Sequence, residues 1–110
     1  MLYNSTFWAQ TSFSFIGVSN GYFSDTNVIV DIDNDGDDDI ISTAIIENRI
    51  YLHTNNGDKT FQTSVIASND AGVKKVVVAD IDLDNDIDII FMSNNYINFY
   101  ENVNNVFRVH

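Results

Sequence analysis

Two acidic segments determine the fold of this 110-residue chain, namely Asp31-Ile-Asp-Asn-Asp-Gly-Asp-Asp-Asp39 and Asp80-Ile-Asp-Leu-Asp-Asn-Asp-Ile-Asp88. They begin 49 residues apart (80 minus 31), and both place aspartate at every odd position. Short runs rich in β-branched residues flank both segments, which is typical of strands. We therefore interpret each segment as an acidic loop between two strands, and we call residues 31–39 the first acidic loop and residues 80–88 the second.

The alternating carboxylates predict a cation in each loop. Carboxylates at positions 1, 3 and 5 of a tight loop converge on one point, and Ca²⁺ accepts six to eight oxygen ligands in irregular geometry. We expect side-chain ligands at positions 1, 3, 5 and 9 and a backbone carbonyl ligand at position 7, with about two Ca²⁺ per chain. The predicted ligands are Asp31, Asp33, Asp35, Asp37 and Asp39 in the first loop, and Asp80, Asp82, Asp84, Asp86 and Asp88 in the second.

The two loops differ at position 6, where the turn is sharpest. Gly36 permits such a turn in the first loop, whereas Asn85 stands there in the second. Asparagine is one of the few residues that tolerate a left-handed backbone. We therefore expect the second loop to fold in the same way but to bind its cation more weakly.

Two other interpretations of the acidic segments fit the sequence less well. A helix-loop-helix calcium hand needs a bidentate glutamate at position 12, where this chain has Ser42 and Phe91. A solvated acidic run is the usual fate of a block of like charges. Here, however, the charges alternate with Ile32, Ile81 and Ile87 and occur twice between apolar runs, which favours two metal loops.

The composition narrows the classes of partner. The formal net charge is −11 with only five Lys and Arg residues, which argues against binding to nucleic acid or an anionic membrane. There is no cysteine, so neither disulfides nor thiolate metal sites are available. No stretch approaches the roughly 18 apolar residues of a membrane span, and the N-terminus lacks the features of a secretory signal.

The sequence contains no proline and predicts an all-β repeat protein. We expect strands near residues 26–31, 39–46, 49–54 and 60–66, and again near 74–80, 88–93, 96–101 and 106–109. An ungapped shift of 49 residues aligns Ile50-Tyr51 with Phe99-Tyr100. The predicted single repeat domain, residues 1–110, contains a partial unit (1–25) and two full units (26–73 and 74–110), each with an acidic loop between its first two strands.

These units resemble the FG-GAP/VCBS repeats. The shared features are the Asp-x-Asp-x-Asp-Gly-x-x-Asp loop between the first two strands and the turn Asn55-Asn-Gly-Asp-Lys-Thr-Phe61. The Phe-Gly and Gly-Ala-Pro signatures of the integrin type are missing, so the bacterial VCBS type is closer. The resemblance covers about residues 26–110 and implies antiparallel four-stranded β-propeller-type blades that bind calcium through the loop aspartates.

About two and a half repeats cannot close a propeller alone. We therefore expect a calcium-binding structural or adhesive module, extracellular or at the cell surface, that forms a homo-oligomer or polymer as a ring or filament. The alternatives are a lectin-type module that binds a glycan, or a fragment of a larger propeller protein whose ligand could also be a protein. For a glycan, Tyr96, Asn98 and Tyr100 would form the platform, although we favour packing for them.

The two histidines and one Asn-Ser-Thr triplet bear on catalysis and on glycosylation. We expect no enzyme, because neither His53 nor His110 belongs to a recognised catalytic motif, and we place His53 on the surface of a strand. Asn4-Ser-Thr6 fits the acceptor pattern for glycosylation, which would place that segment outside the cell.

Overall fold

The computed structural model describes residues 26–68 and 73–109, which form eight strands. The strands are β1 (Thr26–Val30), β2 (Asp39–Ala44), β3 (Arg49–Asn55), β4 (Phe61–Ser68), β5 (Lys75–Ala79), β6 (Asp88–Met92), β7 (Ile97–Val103) and β8 (Val106–Val109). None of the described residues is helical, so this part of the chain contains no helix that could cross a membrane. The predicted partial unit 1–25 and its acceptor Asn4 lie outside the described residues.

The strands form two antiparallel four-stranded sheets with the same topology. Sheet 1 has the order β1-β2-β3-β4 and sheet 2 the order β5-β6-β7-β8, which confirms the predicted all-β class and four-stranded units. Each acidic loop joins the first two strands of its sheet, and its ends face each other across the ladder, with Val30 opposite Asp39 and Ala79 opposite Asp88. The repeat in sequence is therefore a repeat in structure.

The two sheets pack against each other through one hydrophobic core. Ile41 and Ile50 of sheet 1 and Ile89 and Phe91 of sheet 2 are fully buried, and the rings of Phe91 and Tyr100 lie 5.1 Å apart. Burying one such side chain contributes about 1.5–3 kcal/mol. The core places the two acidic loops next to each other in space.

The third strand of sheet 2 corrects the ungapped alignment. Ile41 lies opposite Leu52, and its equivalent Ile90 lies opposite Phe99, so Leu52 and not Ile50 corresponds to Phe99. The turn in sheet 1 spans residues 45–48, whereas in sheet 2 the Ser93 N–H donates to the Tyr96 carbonyl across two residues. The shift of 49 residues therefore becomes 47 in the third strand (99 minus 52).

The prediction of a surface position for His53 was wrong. His53 is only 2% exposed, and its two ring nitrogens lie 2.8 Å from Ser42 Oγ and 2.8 Å from Thr63 Oγ1. Its ring also stacks on Tyr51 at a centroid distance of 6.2 Å. Burial lowers the pKa of His53, since a desolvated imidazolium is unfavourable. Hydroxyl groups on both neighbouring strands thus satisfy a buried polar ring.

Candidate metal centres

Each acidic loop brings three carboxylates together. In the first loop Asp31, Asp33 and Asp39 each offer one oxygen, and these oxygens lie within 4.8 Å of one another. The second loop repeats the cluster at the same positions, namely 1, 3 and 9, with Asp80, Asp82 and Asp88. We call these groups the first and second carboxylate clusters.

The first aspartate of each loop organises the backbone around the cluster. Asp31 accepts hydrogen bonds from the N–H groups of Asp35 (3.1 Å) and Gly36 (2.9 Å). Asp80 accepts the corresponding bonds from Asp84 (3.2 Å) and Asn85 (3.0 Å). Aspartate favours such contacts with following backbone groups, so the sequence itself coils the loop.

The sharp turn is left-handed in both loops. The backbone φ angle is +95° at Gly36 and +76° at Asn85, which confirms that asparagine adopts the conformation that glycine has in the first loop. Asn34 and Leu83, at position 4 of their loops, also have positive φ angles, of 60° and 66°. Leucine disfavours this region more than asparagine does, so the second loop carries more backbone strain.

The last aspartate of each loop anchors the cluster to the sheet. Asp39 is 0% exposed, and its two oxygens accept hydrogen bonds from the N–H groups of Ile32 (3.0 Å) and Asn55 (2.8 Å). Asp88, also 0% exposed, makes the equivalent contacts with Ile81 (2.8 Å) and Asn102 (2.8 Å). One carboxylate therefore ties together the start of the loop, its end and the third strand.

Two of the predicted side-chain ligands are not among the clustered carboxylates. Asp35 instead accepts a hydrogen bond from the Asp37 N–H at 2.9 Å, and Asp84 accepts one from the Asp86 N–H at 2.9 Å. Both side chains lie in exposed parts of their loops. The structure thus brings the carboxylates at positions 1, 3 and 9 together, and a ligand role for position 5 stays a prediction.

The aspartate at position 7, predicted to ligate through its backbone carbonyl, uses its side chain to reach the turn between the third and fourth strands. Asp86 accepts a hydrogen bond from the Asn104 N–H at 2.9 Å. In the first loop Asp37 approaches Gly57 so closely that a Cβ atom at Gly57 would lie 2.8 Å from Asp37 Oδ2. Both turns therefore rest directly on an acidic loop.

This close approach predicts that Gly57→Ala lowers the free energy of unfolding by about 1–3 kcal/mol, because the left-handed backbone disfavours a side chain and the new methyl group displaces Asp37. Gly57 has a φ angle of +80°. The matched control is Gly36→Ala, where φ is +95° but no atom lies within 4 Å of the added Cβ. Urea unfolding of both variants separates the two effects. Equal losses would show that the close approach of Asp37 adds nothing to the cost of the left-handed backbone.

The electrostatics of the clusters favour a bound cation. Burial raises the pKa of Asp33, and the nearby charges of Asp39 and Asp35 raise it further. Burial and the charge of Asp84 raise the pKa of Asp82 in the same way. Converging carboxylates supply the hard oxygen ligands that Ca²⁺ prefers, and a cation would offset their repulsion. The donor set of both clusters therefore fits Ca²⁺.

Sequence patterns alone did not identify the role of the asparagine near the end of each third strand, Asn55 in β3 and Asn102 in β7. Asn55 Nδ2 donates to the Asp38 carbonyl at 3.1 Å, and Asn102 Nδ2 donates to the Ile87 carbonyl at 3.0 Å. The predicted third strands, residues 49–54 and 96–101, end just before these two residues. The signal was the recurrence of asparagine 47 residues later (102 minus 55), which becomes visible only with the corrected alignment.

The fold and the clusters define a class of all-β repeat proteins in which every four-stranded unit carries an acidic loop between its first two strands. Comparison with protein families agrees, since the family model described as FG-GAP-like repeat matches residues 31–91. The chain belongs to this FG-GAP-like repeat family, as the sequence resemblance implied. The comparisons with curated proteins and with solved structures found no match.

Proposed function

We propose that the chain is a calcium-binding structural or adhesive module that acts outside the cell or at its surface and associates with copies of itself. The observation that carries the calcium part is the duplicated cluster, in which three carboxylates meet at the same loop positions in both units. Membership of the FG-GAP-like family supports it. Loops of this kind suit the millimolar calcium found outside cells.

Native mass spectrometry in a calcium-containing volatile buffer tests this proposal. We expect each chain to carry about two Ca²⁺ ions, one per cluster. The double variant Asp33→Asn with Asp82→Asn removes one carboxylate from each cluster and should lose both ions. A wild-type chain without bound calcium would overturn the metal part of the proposal, whereas two ions on a monomer would leave only self-association unsupported.

Self-association is supported by the face of sheet 2 that points away from sheet 1. On that face Val77, Ile97 and Val106 are 40%, 76% and 56% exposed. In the corrected repeat alignment Ile97 corresponds to Ile50, which is 0% exposed beneath sheet 2. The same position is therefore buried by a neighbouring sheet in one unit and exposed in the other.

The face of sheet 1 that points away from sheet 2 offers the complementary half of this contact. Val78 of sheet 2 packs into the core between the sheets, and its equivalent in sheet 1 is Ile29, which is 68% exposed. The exposed face of sheet 2 and the face of sheet 1 that carries Ile29 thus repeat the two halves of the contact already present within the chain. We propose a head-to-tail contact between copies, which forms a ring if it closes and a filament if it does not.

We expect Ile97→Asp to raise the dissociation constant for self-association at least about tenfold, because burying an unpaired charge costs more than the 1.4 kcal/mol that a factor of ten represents. The matched control is Ile46→Asp, since Ile46 is 81% exposed but lies in the turn after β2. Sedimentation velocity over a range of protein concentrations measures the effect. A wild-type monomer at every concentration, or equal effects of the two variants, would contradict the proposed interface.

The alternatives receive less support. The glycan platform needs three side chains on one accessible face, but Tyr100 is only 7% exposed, whereas Tyr96 is 69% exposed. A catalytic role would need an accessible nucleophile, whereas Ser42 and His53 are 5% and 2% exposed and the second nitrogen of His53 contacts Thr63 rather than a carboxylate. We therefore propose a structural role for the Ser42–His53 contact.

A further inference from the structure

We infer that Asn102 couples the two acidic loops, so that a cation bound in one loop tightens binding in the other. This inference rests on the proposed calcium function and assigns a positioning residue rather than another ligand. Asn102 is 0% exposed. Its Nδ2 group donates to the Ile32 carbonyl of the first loop at 3.3 Å and to the Ile87 carbonyl of the second at 3.0 Å. A carboxamide nitrogen carries two hydrogens, so both bonds can exist at once.

On the side of the first loop, Asn102 contacts a residue whose sequence neighbours both belong to the carboxylate cluster. Ile32 lies between Asp31 and Asp33, two members of the cluster. Its N–H donates to Asp39, the third member, at 3.0 Å. Ile32 thus contacts the cluster through its N–H and Asn102 through its carbonyl, so Asn102 holds the backbone that sets the spacing of the carboxylates.

On the side of the second loop, Asn102 is part of the anchor itself. Its own N–H donates to Asp88 at 2.8 Å, and Ile87, whose carbonyl it contacts, directly precedes Asp88. Its side-chain oxygen accepts a hydrogen bond from the Asn105 N–H at 2.9 Å. A cation that orders Asp88 therefore also orders the amide that holds the first loop.

The sign of the coupling follows from this ordering. Whichever cation binds first orders the shared amide, and the second then binds a loop that is already partly ordered, which gives positive cooperativity. Repulsion between two cations acts against it, but the carboxylates of both loops reduce that repulsion. A second hydrogen bond between the loops, from Asn34 Nδ2 to the Asn85 carbonyl, is longer (3.4 Å) and exposed. The buried amide therefore carries most of the coupling.

Asn55 provides a matched control for Asn102. It occupies the equivalent position in sheet 1, where its N–H donates to Asp39 and its side chain contacts Asp38 and Gly57. All of these contacts lie within its own unit. Asn55→Ala thus removes the same local bonds as Asn102→Ala without removing a bridge between the loops.

Calorimetric calcium titration of the full chain tests the coupling. In the variant Asp82→Asn, the calcium affinity of the first loop is measured while the second loop binds calcium poorly. In the wild type, the same affinity is measured while the second loop holds its cation. We expect the first loop to bind at least about fivefold more tightly in the wild type, which is the lower end of usual coupling. The same pair of measurements is made with Asn102→Ala and with Asn55→Ala added to both proteins. This double-mutant cycle removes the general effect of losing the Asp82 charge, because that charge is lost in each comparison.

The quantity compared is the ratio of the first-loop dissociation constants with and without Asp82→Asn. This ratio should fall to within about twofold in the Asn102→Ala background and stay at its wild-type value in the Asn55→Ala background. Equal affinities in the wild type and Asp82→Asn, or a ratio that survives Asn102→Ala, would overturn the inference. If circular dichroism shows that Asn102→Ala does not fold, Asn102→Ser replaces it. A wild type that binds no calcium would instead overturn the proposed function, so the two failures are distinguishable.

Discussion

Asp39→Ala will lower the free energy of unfolding in calcium buffer by about 2–4 kcal/mol, because it leaves one buried and one partly buried N–H group without an acceptor, and each loss of a buried partner costs about 1–3 kcal/mol. Those groups belong to Ile32 and Asn55, at 3.0 Å and 2.8 Å from the carboxylate. The substitution also removes a member of the first carboxylate cluster. Urea unfolding followed by circular dichroism measures the loss.

Two variants at the same place separate the hydrogen bonds from the charge. Asp38→Ala removes the same single charge from an exposed neighbouring side chain, and it should change stability by less than about 0.5 kcal/mol. Asp39→Asn keeps one acceptor oxygen and should lose about half as much as Asp39→Ala. In EDTA the loss should shrink, since removing Asp39 also relieves repulsion of Asp33. Equal stability of the Asp38→Ala and Asp39→Ala proteins would contradict the proposal that Asp39 anchors the loop to the sheet.

Sequence analysis predicted the parts of this fold that local patterns determine. Strand bounds agreed within two residues, because period-two alternation and the Asn and Gly turns act over a few residues. The acidic loops were located for the same reason, since aspartate bonds to nearby backbone groups such as the Gly36 N–H. Local chemistry thus decided the eight strands and the two loops.

Contacts between residues that lie far apart in the sequence were not predicted. His53 was placed on the surface because its partners, Ser42 and Thr63, lie on two other strands, and only the register brings them to its ring. The bridging role of Asn102 depends on Ile32, which is 70 residues away in sequence. The turn between the second and third strands is two residues shorter in sheet 2 than in sheet 1, so an ungapped alignment does not pair Asn55 with Asn102. Such pairings follow from how whole sheets pack, which no short window of sequence contains.

The ligand role predicted for Asp35 and Asp84, at position 5 of the two loops, stays a prediction. Spacing alone makes Asp35 equivalent to Asp31 and Asp33, but the carboxylate of Asp35 accepts the Asp37 N–H and is not among the three that cluster. A left-handed residue at Gly36 follows it directly. Convergence of carboxylates therefore depends on backbone dihedral angles that the spacing does not determine.

Removing calcium should cause the other large effect, a loss of about 3–5 kcal/mol in the free energy of unfolding. A ligand that binds only the folded state stabilises it by RT ln(1 + [L]/Kd), and loops of extracellular type have a Kd of about 10⁻⁴–10⁻³ M. At about 10 mM Ca²⁺ each site then contributes roughly 1.4–2.7 kcal/mol. For a domain of this size the melting temperature should fall by roughly 15–30 °C in EDTA.

Thermal unfolding followed by circular dichroism measures this shift at matched ionic strength. General screening of the net charge of −11 would stabilise the fold with any divalent salt, so magnesium is the control. Mg²⁺ demands a near-octahedral site and retains its water, and it should recover less than half of the shift. The variant Asp33→Asn with Asp82→Asn should melt at the same temperature in calcium and in EDTA. If the wild type does so too, the carboxylate clusters do not bind calcium in the folded state, and their repulsion must be offset in another way.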